Sequence, residues 1–135
     1  MEQLKFENVR FQGSFFIKND FSIEETAEII NEVLNLDLEK DDSGYYEELP
    51  AYSSHVLGLT FALLGFPDLE WQNRYPDKKY EWYEFHISDY NEGGSSGMKL
   101  NLGTYLIAVL SAKSKLICKD SEAPYMKGCV NVIPQ

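Results

Sequence analysis

The chain has 135 residues, a formal net charge of −10, and 44% hydrophobic residues including 14% aromatics. That length suits one domain, residues 1–135, and the apolar content is enough to offset the ordering entropy that keeps low-hydropathy chains unfolded. The acidity argues against direct nucleic-acid binding, which needs clustered Lys and Arg, and disfavours an anionic membrane.

No run approaches the roughly 20 apolar residues of a membrane span. Met1, Glu2, Gln3, Leu4 and Lys5 lack the basic-then-apolar character of a signal peptide, so the expected compartment is the cytoplasm. Cys118 and Cys129 have no metal-ligand spacing and are expected to be free thiols there.

Residues 11–18 predict a strand, with Phe15 and Ile17 on one face and Phe16 on the other, ended by Asn19 and Asp20. A helix follows. Ser22 and Glu25 fit a capping box, and Ile23, Ala27, Ile30, Val33 and Leu34 recur at helical spacing through Leu36. Residues 40–44 read as a polar connection. Pro50 at a first turn and Gly58 at a stop then frame a short helix over 49–57.

The apolar run 59–64, closed by Gly65, Phe66 and Pro67, suits a buried strand. Residues 80–87 alternate, with Tyr83, Phe85 and Ile87 facing one way and Tyr80, Trp82, Glu84 and His86 the other. The Gly/Ser-rich stretch 91–97 leads into 98–102, which predicts a hairpin between the flanking strands. Leu102, Leu106, Val109 and Leu110 predict another helix, with Lys113 and Lys115 near its negative end. Residues 116–118 and 130–133 are apolar enough for two short strands. The expected architecture is α+β, a mainly antiparallel sheet packed by two or three helices.

The charge is localised. Residues 20–48 hold eleven acids and one base, Lys40, while the remainder is neutral. Glu24, Glu28 and Glu32 repeat every four residues on the first helix, each adjacent like-charge pair costing roughly 0.2–0.5 kcal/mol with no Lys or Arg on that helix in return. This face and the loop carrying Asp37, Glu39, Asp41, Asp42, Glu47 and Glu48 suit a cationic protein partner; a solvated face kept for solubility is the competing account. Tyr45, Tyr46 and Tyr52 interleave with Glu47 and Glu48 as interface anchors do, with a core role as the alternative and expected for at least one of the three. Trp71 and Tyr75, in the polar stretch 68–79, either make contacts from a loop or cap the core.

For chemistry the candidates are His55, His86 and Asp89, which would serve a small enzyme or a metabolite-binding pocket. A lone His in such a place is more often structural, and no nucleophile set declares itself. Residues 93–99 lack the Gly-Lys-Ser/Thr ending of a phosphate loop, and the acids at 37–42 lack the glycine and terminal Glu of a calcium loop. No metal and no cofactor is expected.

The stretch Tyr45, Tyr46, Glu47, Glu48, Leu49, Pro50, Ala51 and Tyr52, followed by 59–64 and Gly65, Phe66 and Pro67, resembles small bacterial immunity proteins. These are encoded beside toxins of contact-dependent growth inhibition and related polymorphic toxin systems. The similarity extends to Tyr83, Glu84, Phe85, His86 and Ile87 and to the 102–110 helix, about half the chain. It implies a non-enzymatic inhibitor that binds the C-terminal domain of a cognate toxin in the producing cell's cytoplasm. Many such toxins are nucleases, whose substrate sites are electropositive.

Overall fold

The computed structural model describes residues 9–46, 49–89, 98–121 and 130–131. In chain order these form β1 (Val9–Lys18), α1 (Ile23–Leu34), β2 (Glu39–Lys40), β3 (Ala51–Val56), β4 (Leu59–Leu64) and α2 (Leu69–Arg74). They continue with β5 (Trp82–Asp89), β6 (Met98–Asn101), α3 (Gly103–Lys113), β7 (Cys118–Asp120) and β8 (Val130–Asn131). All eight strands join one sheet in the order β2-β3-β4-β5-β1-β6-β8, with β7 also on β1. Pairing is antiparallel except between β1 and β6 and between β6 and β8. The protein is therefore α+β with a mainly antiparallel sheet.

Alternation puts every second side chain of the central strands on one face, where the helices lie. Phe15 of β1 stands opposite Phe85 of β5, and Phe85 opposite Leu63 of β4; all three are fully enclosed. The Phe15 and Phe85 rings meet at 5.1 Å. Ala27 and Ile30 of α1 and Leu106 and Leu110 of α3 close this layer. Each such large apolar side chain contributes about 1.5–3 kcal/mol on burial. A long-range clamp adds register, since the Tyr83 hydroxyl donates to the Phe21 carbonyl at 2.8 Å.

The first helix starts where its capping box predicts. The Glu25 amide donates to Ser22 Oγ at 3.1 Å, and the Thr26 hydroxyl, fully buried, donates to the Ser22 carbonyl. It ends on Asn35 in the left-handed region, with φ of 54°. Strand β1 is shared along one edge: Val9 to Gln12 pair with β6, Phe15 to Ile17 pair with β7, and α3 departs in the gap between them. That departure needs glycine, because a Cβ on Gly13 would lie 2.9 Å from the Gly103 nitrogen.

Four expectations are corrected. Residues 51–56 are strand β3 rather than helix: they pair residue for residue with β4, and Leu57-Gly58 is the hairpin turn, both residues at positive φ. The strands flanking 91–97 do not form a hairpin, because β6 runs parallel to β1 and β5 lies on the other side of β1; the 91–97 stretch itself is outside the described residues. The polar stretch 68–79 contains α2, capped by Asp68 accepting from the Trp71 amide. The 40–44 connection begins inside edge strand β2, which local polarity hid.

Candidate functional site

The acidic segment wraps around the β2 edge of the sheet. Glu24, Glu28 and Glu32 are exposed on α1, in the helical layer. Beyond the helix, the Asn31 side chain accepts from the Leu38 amide at 2.7 Å and donates to the Leu38 carbonyl at 3.2 Å. Leu38 is buried, so the flanking Asp37 and Glu39 are left exposed. Glu39 pairs with Ser53, whose neighbours Ala51 and His55 share its face, so Glu39 and Asp41 turn to the side of the sheet opposite the helices. The helix face and the acidic loop thus lie on two faces of the sheet joined at an edge.

Asp41 does more than carry charge. Its carboxylate accepts from the Ser43 amide, the Ser43 hydroxyl and the Ser53 hydroxyl, and these hydrogen bonds hold its pKa below the ordinary 3.8. Asp42 is exposed. Tyr45 is 80% exposed and meets Tyr46 edge-on at 4.8 Å. Tyr46 is half-buried on Ala51, Ala62 and Leu64, and burial, then the Asp41 charge, raises its phenol pKa. Of the two tyrosine accounts, Tyr45 takes the surface one and Tyr46 the packing one. Glu47 and Glu48 lie outside the described residues.

Among the described residues, none of the carboxylates at 24, 28, 32, 37, 39, 41 and 42 is ion-paired with Lys or Arg; the salt bridges present are Arg10 with Asp89, Arg74 with Glu70 and His86 with Glu84. Trp71 of α2, a surface helix with no buried residue, and Tyr75 at its C-cap sit together with ring centroids 5.1 Å apart. Trp71 and Tyr75 are about half exposed and Leu69 more so.

The catalytic candidates do not converge. His55 Nδ1 lies 3.0 Å from Thr60 Oγ1, and His86 Nε2 lies 2.9 Å from a Glu84 oxygen. Both histidines belong to the face away from the helices. Asp89 has the parity of Phe85 and Ile87, and its carboxylate accepts from the Phe11 amide and lies 3.8 Å from Arg10 Nε. Among the described residues no cluster of three or more His, Cys, Asp or Glu is placed to hold a metal ion, and no helix is long and apolar enough to cross a membrane.

Sequence reasoning missed a second surface. Among the described residues no helix covers the far face of the sheet, and a cleft of about 370 Å³ opens there beside Phe16, Trp82, Tyr80, Leu64 and Lys119. Lys119 Nζ stands 4.2 Å from the Trp82 ring centroid and 5.5 Å from that of Phe16. Glu84 lies in the same cleft, its pKa held below 4.5 first by the hydrogen bond with His86 and then by the charges of His86 and Lys78. The alternation of Trp82, Glu84 and His86 was visible; that their face lacks a covering helix was not.

Comparison with protein-family models, with characterised proteins and with solved structures found no match.

Proposed function

We propose that this chain acts by binding a basic protein partner across the acidic edge formed by α1, β2 and the 41–46 turn, rather than by catalysing a reaction. One observation carries the reading: carboxylates on the two faces that meet at this edge, Glu24, Glu28, Glu32, Asp37, Glu39 and Asp42, are exposed with no Lys or Arg paired to them among the described residues. Like charges spaced four apart on a helix oppose folding, and that repulsion is relieved when a cationic surface docks. Tyr45, exposed beside Asp41 and Asp42, supplies an aromatic anchor of the kind that concentrates binding energy.

With the resemblance to immunity proteins, the partner of choice is the C-terminal domain of a cognate toxin, a basic nuclease above all. The acidic edge would then cover or flank an electropositive substrate site, and electrostatic steering would speed capture before the toxin acts.

The test measures association and dissociation rates against the toxin encoded beside this chain's gene, at low and high salt, together with protection of cells expressing it. A Glu28→Lys/Glu32→Lys/Asp42→Lys variant leaves Asp41 in place, because reversing Asp41 would break the turn it holds. Association of the variant is expected to slow at least about tenfold at low salt, with protection lost. Wild-type rates and protection in the variant would remove the acidic edge from the interface. A wild-type protein that neither binds nor protects would remove the toxin-inhibitor reading itself.

A further inference from the structure

Strand register sets a row of side chains across the far face of the sheet. Leu64 of β4 stands opposite Glu84 of β5, Glu84 opposite Phe16 of β1, and Phe16 opposite Lys119 of β7. Trp82 lies two residues before Glu84 and so shares its face, and Lys119 Nζ sits 4.2 Å from the Trp82 ring centroid. This row forms the floor of the cleft of about 370 Å³. Over β3 and β4 the face is covered, since Tyr46 and Leu49 pack on the buried Ala51, Ala62 and Leu64, and Leu49 is one wall of the cleft.

Main-chain hydrogen bonds tie the walls together. The Gly65 amide donates to the Pro50 carbonyl at 2.8 Å, which joins the Leu49 wall to Phe66 and Pro67. The Asn19 amide donates to the Glu81 carbonyl at 3.0 Å, which holds Tyr80 and Trp82 to the end of β1. The charges inside are unequal. Lys78, Lys79 and Lys119 line the cleft, and none is ion-paired with Asp or Glu among the described residues. Among the described residues Glu84 is the one carboxylate lining it, and Glu84 is already engaged with His86 at 2.9 Å. Glu84 and Lys119 flank Phe16 on opposite sides, two strand spacings or roughly 10 Å apart along the backbone. The positive end of the cleft is therefore separate from its negative one.

We propose that this cleft binds a small aromatic carboxylate, with the ring among Phe16, Phe66, Tyr80 and Trp82 and the carboxylate on the Lys119 ammonium. An ammonium held over aromatic rings lacks an anionic partner, and a carboxylate supplies one as a charge-assisted hydrogen bond. Aromatic walls favour a ligand ring, which makes the offset and edge contacts that an aliphatic acid cannot. The volume is at the low end of the roughly 300–1,000 Å³ of ligand clefts, so the ligand is of metabolite size. Glu84 sets the orientation, because it repels a negative group placed at its own end.

This inference concerns the full chain alone and stands apart from the toxin reading. The probe is hydrocinnamate, with its neutral amide and inorganic phosphate as controls. Titration followed by heteronuclear NMR should shift the Trp82 indole and Lys119 amide resonances with a Kd of about 10 µM to 1 mM, the range for a ligand of roughly a dozen non-hydrogen atoms. The amide and phosphate are each expected to bind at least about tenfold more weakly. Lys119→Gln should weaken hydrocinnamate binding about tenfold, whereas Glu84→Gln should tighten it about threefold, opposite signs that a purely apolar cleft would not give. Trp82→Ala should weaken it about tenfold, and Trp82→Phe replaces that variant if it fails to fold by circular dichroism. No shift in the cleft at about 10 mM hydrocinnamate, ten times the weakest affinity expected, overturns the proposal. Phosphate or the amide binding as tightly as hydrocinnamate overturns it too, leaving an adventitious ion only or an apolar contact only. A wild type that binds nothing while a Glu47→Gln/Glu48→Gln chain binds the probe would assign the lysines to the chain's own acids and overturn the small molecule as occupant.

Discussion

The β3–β4 turn makes a stability prediction with opposite signs at adjacent positions. Leu57 and Gly58 have φ of 55° and 75°, and Val56 pairs with Leu59 directly across the turn. Two central residues at positive φ match the tight turn that follows strand twist, which favours Asn-Gly over Leu-Gly. A leucine in the left-handed region costs about 1–2 kcal/mol relative to its preferred backbone, while its side chain, 93% exposed, has almost no burial to lose. Leu57→Asn should therefore stabilise the protein by about 1 kcal/mol, raising Tm by about 4 °C for a domain of this size. Gly58→Ala should lower it by a similar amount, although open space surrounds the position, because the cost is in the backbone. Thermal and urea unfolding followed by circular dichroism measure both. A Leu57→Asn variant no more stable than wild type, or two variants that shift Tm the same way, would refute the strain argument.

Two further predictions follow from titratable groups. Asp41 and Glu84 both have folded pKa values below their ordinary 3.8 and 4.5, so the stability they contribute is present above those values and is lost as pH falls through the folded ones. The difference in urea midpoint between wild type and Asp41→Asn or Glu84→Gln should accordingly be largest near about pH 7 and shrink below about pH 4; a difference independent of pH would count against the hydrogen bonds assigned to these carboxylates. Burial pushes the Cys118 thiol from 9.0 to about 11, so at about pH 8 its thiolate fraction is roughly a hundredfold below that of the unfolded chain. Iodoacetamide labelling followed by peptide mapping should show Cys118 reacting slower by about that factor in the folded protein, and equal rates in native and denatured samples would contradict its burial.

Much of the architecture was legible because it is written in short-range patterns. The capping box at Ser22 and Glu25 and the helical spacing of Ile23, Ala27 and Ile30 locate α1 without any tertiary information, since both depend on neighbours within one turn. The alternation around Phe85 and the apolar run 59–64 locate β5 and β4 for the same reason. Localisation of charge in residues 20–48 is a property of composition and needs no fold.

Pairing is long-range, and there the local signals misled. Pro50 and Gly58 bracket a helix as well as they bracket a strand, and only the neighbouring β4 decides that residues 51–56 are extended. Strand β6 follows β5 after a turn-like stretch, yet its ladder is with β1, some ninety residues away in sequence. How the helix face and the acidic loop sit relative to each other was not legible: β2 lies at the sheet edge, so alternation sends Glu39 and Asp41 to one side while α1 holds Glu24, Glu28 and Glu32 on the other. Composition and periodicity determined which residues are acidic, which are apolar and which way each strand divides them. Only the packing of α1 and α3 decided which of the two sheet faces became core, because a period of two separates the faces without saying which one another element will cover.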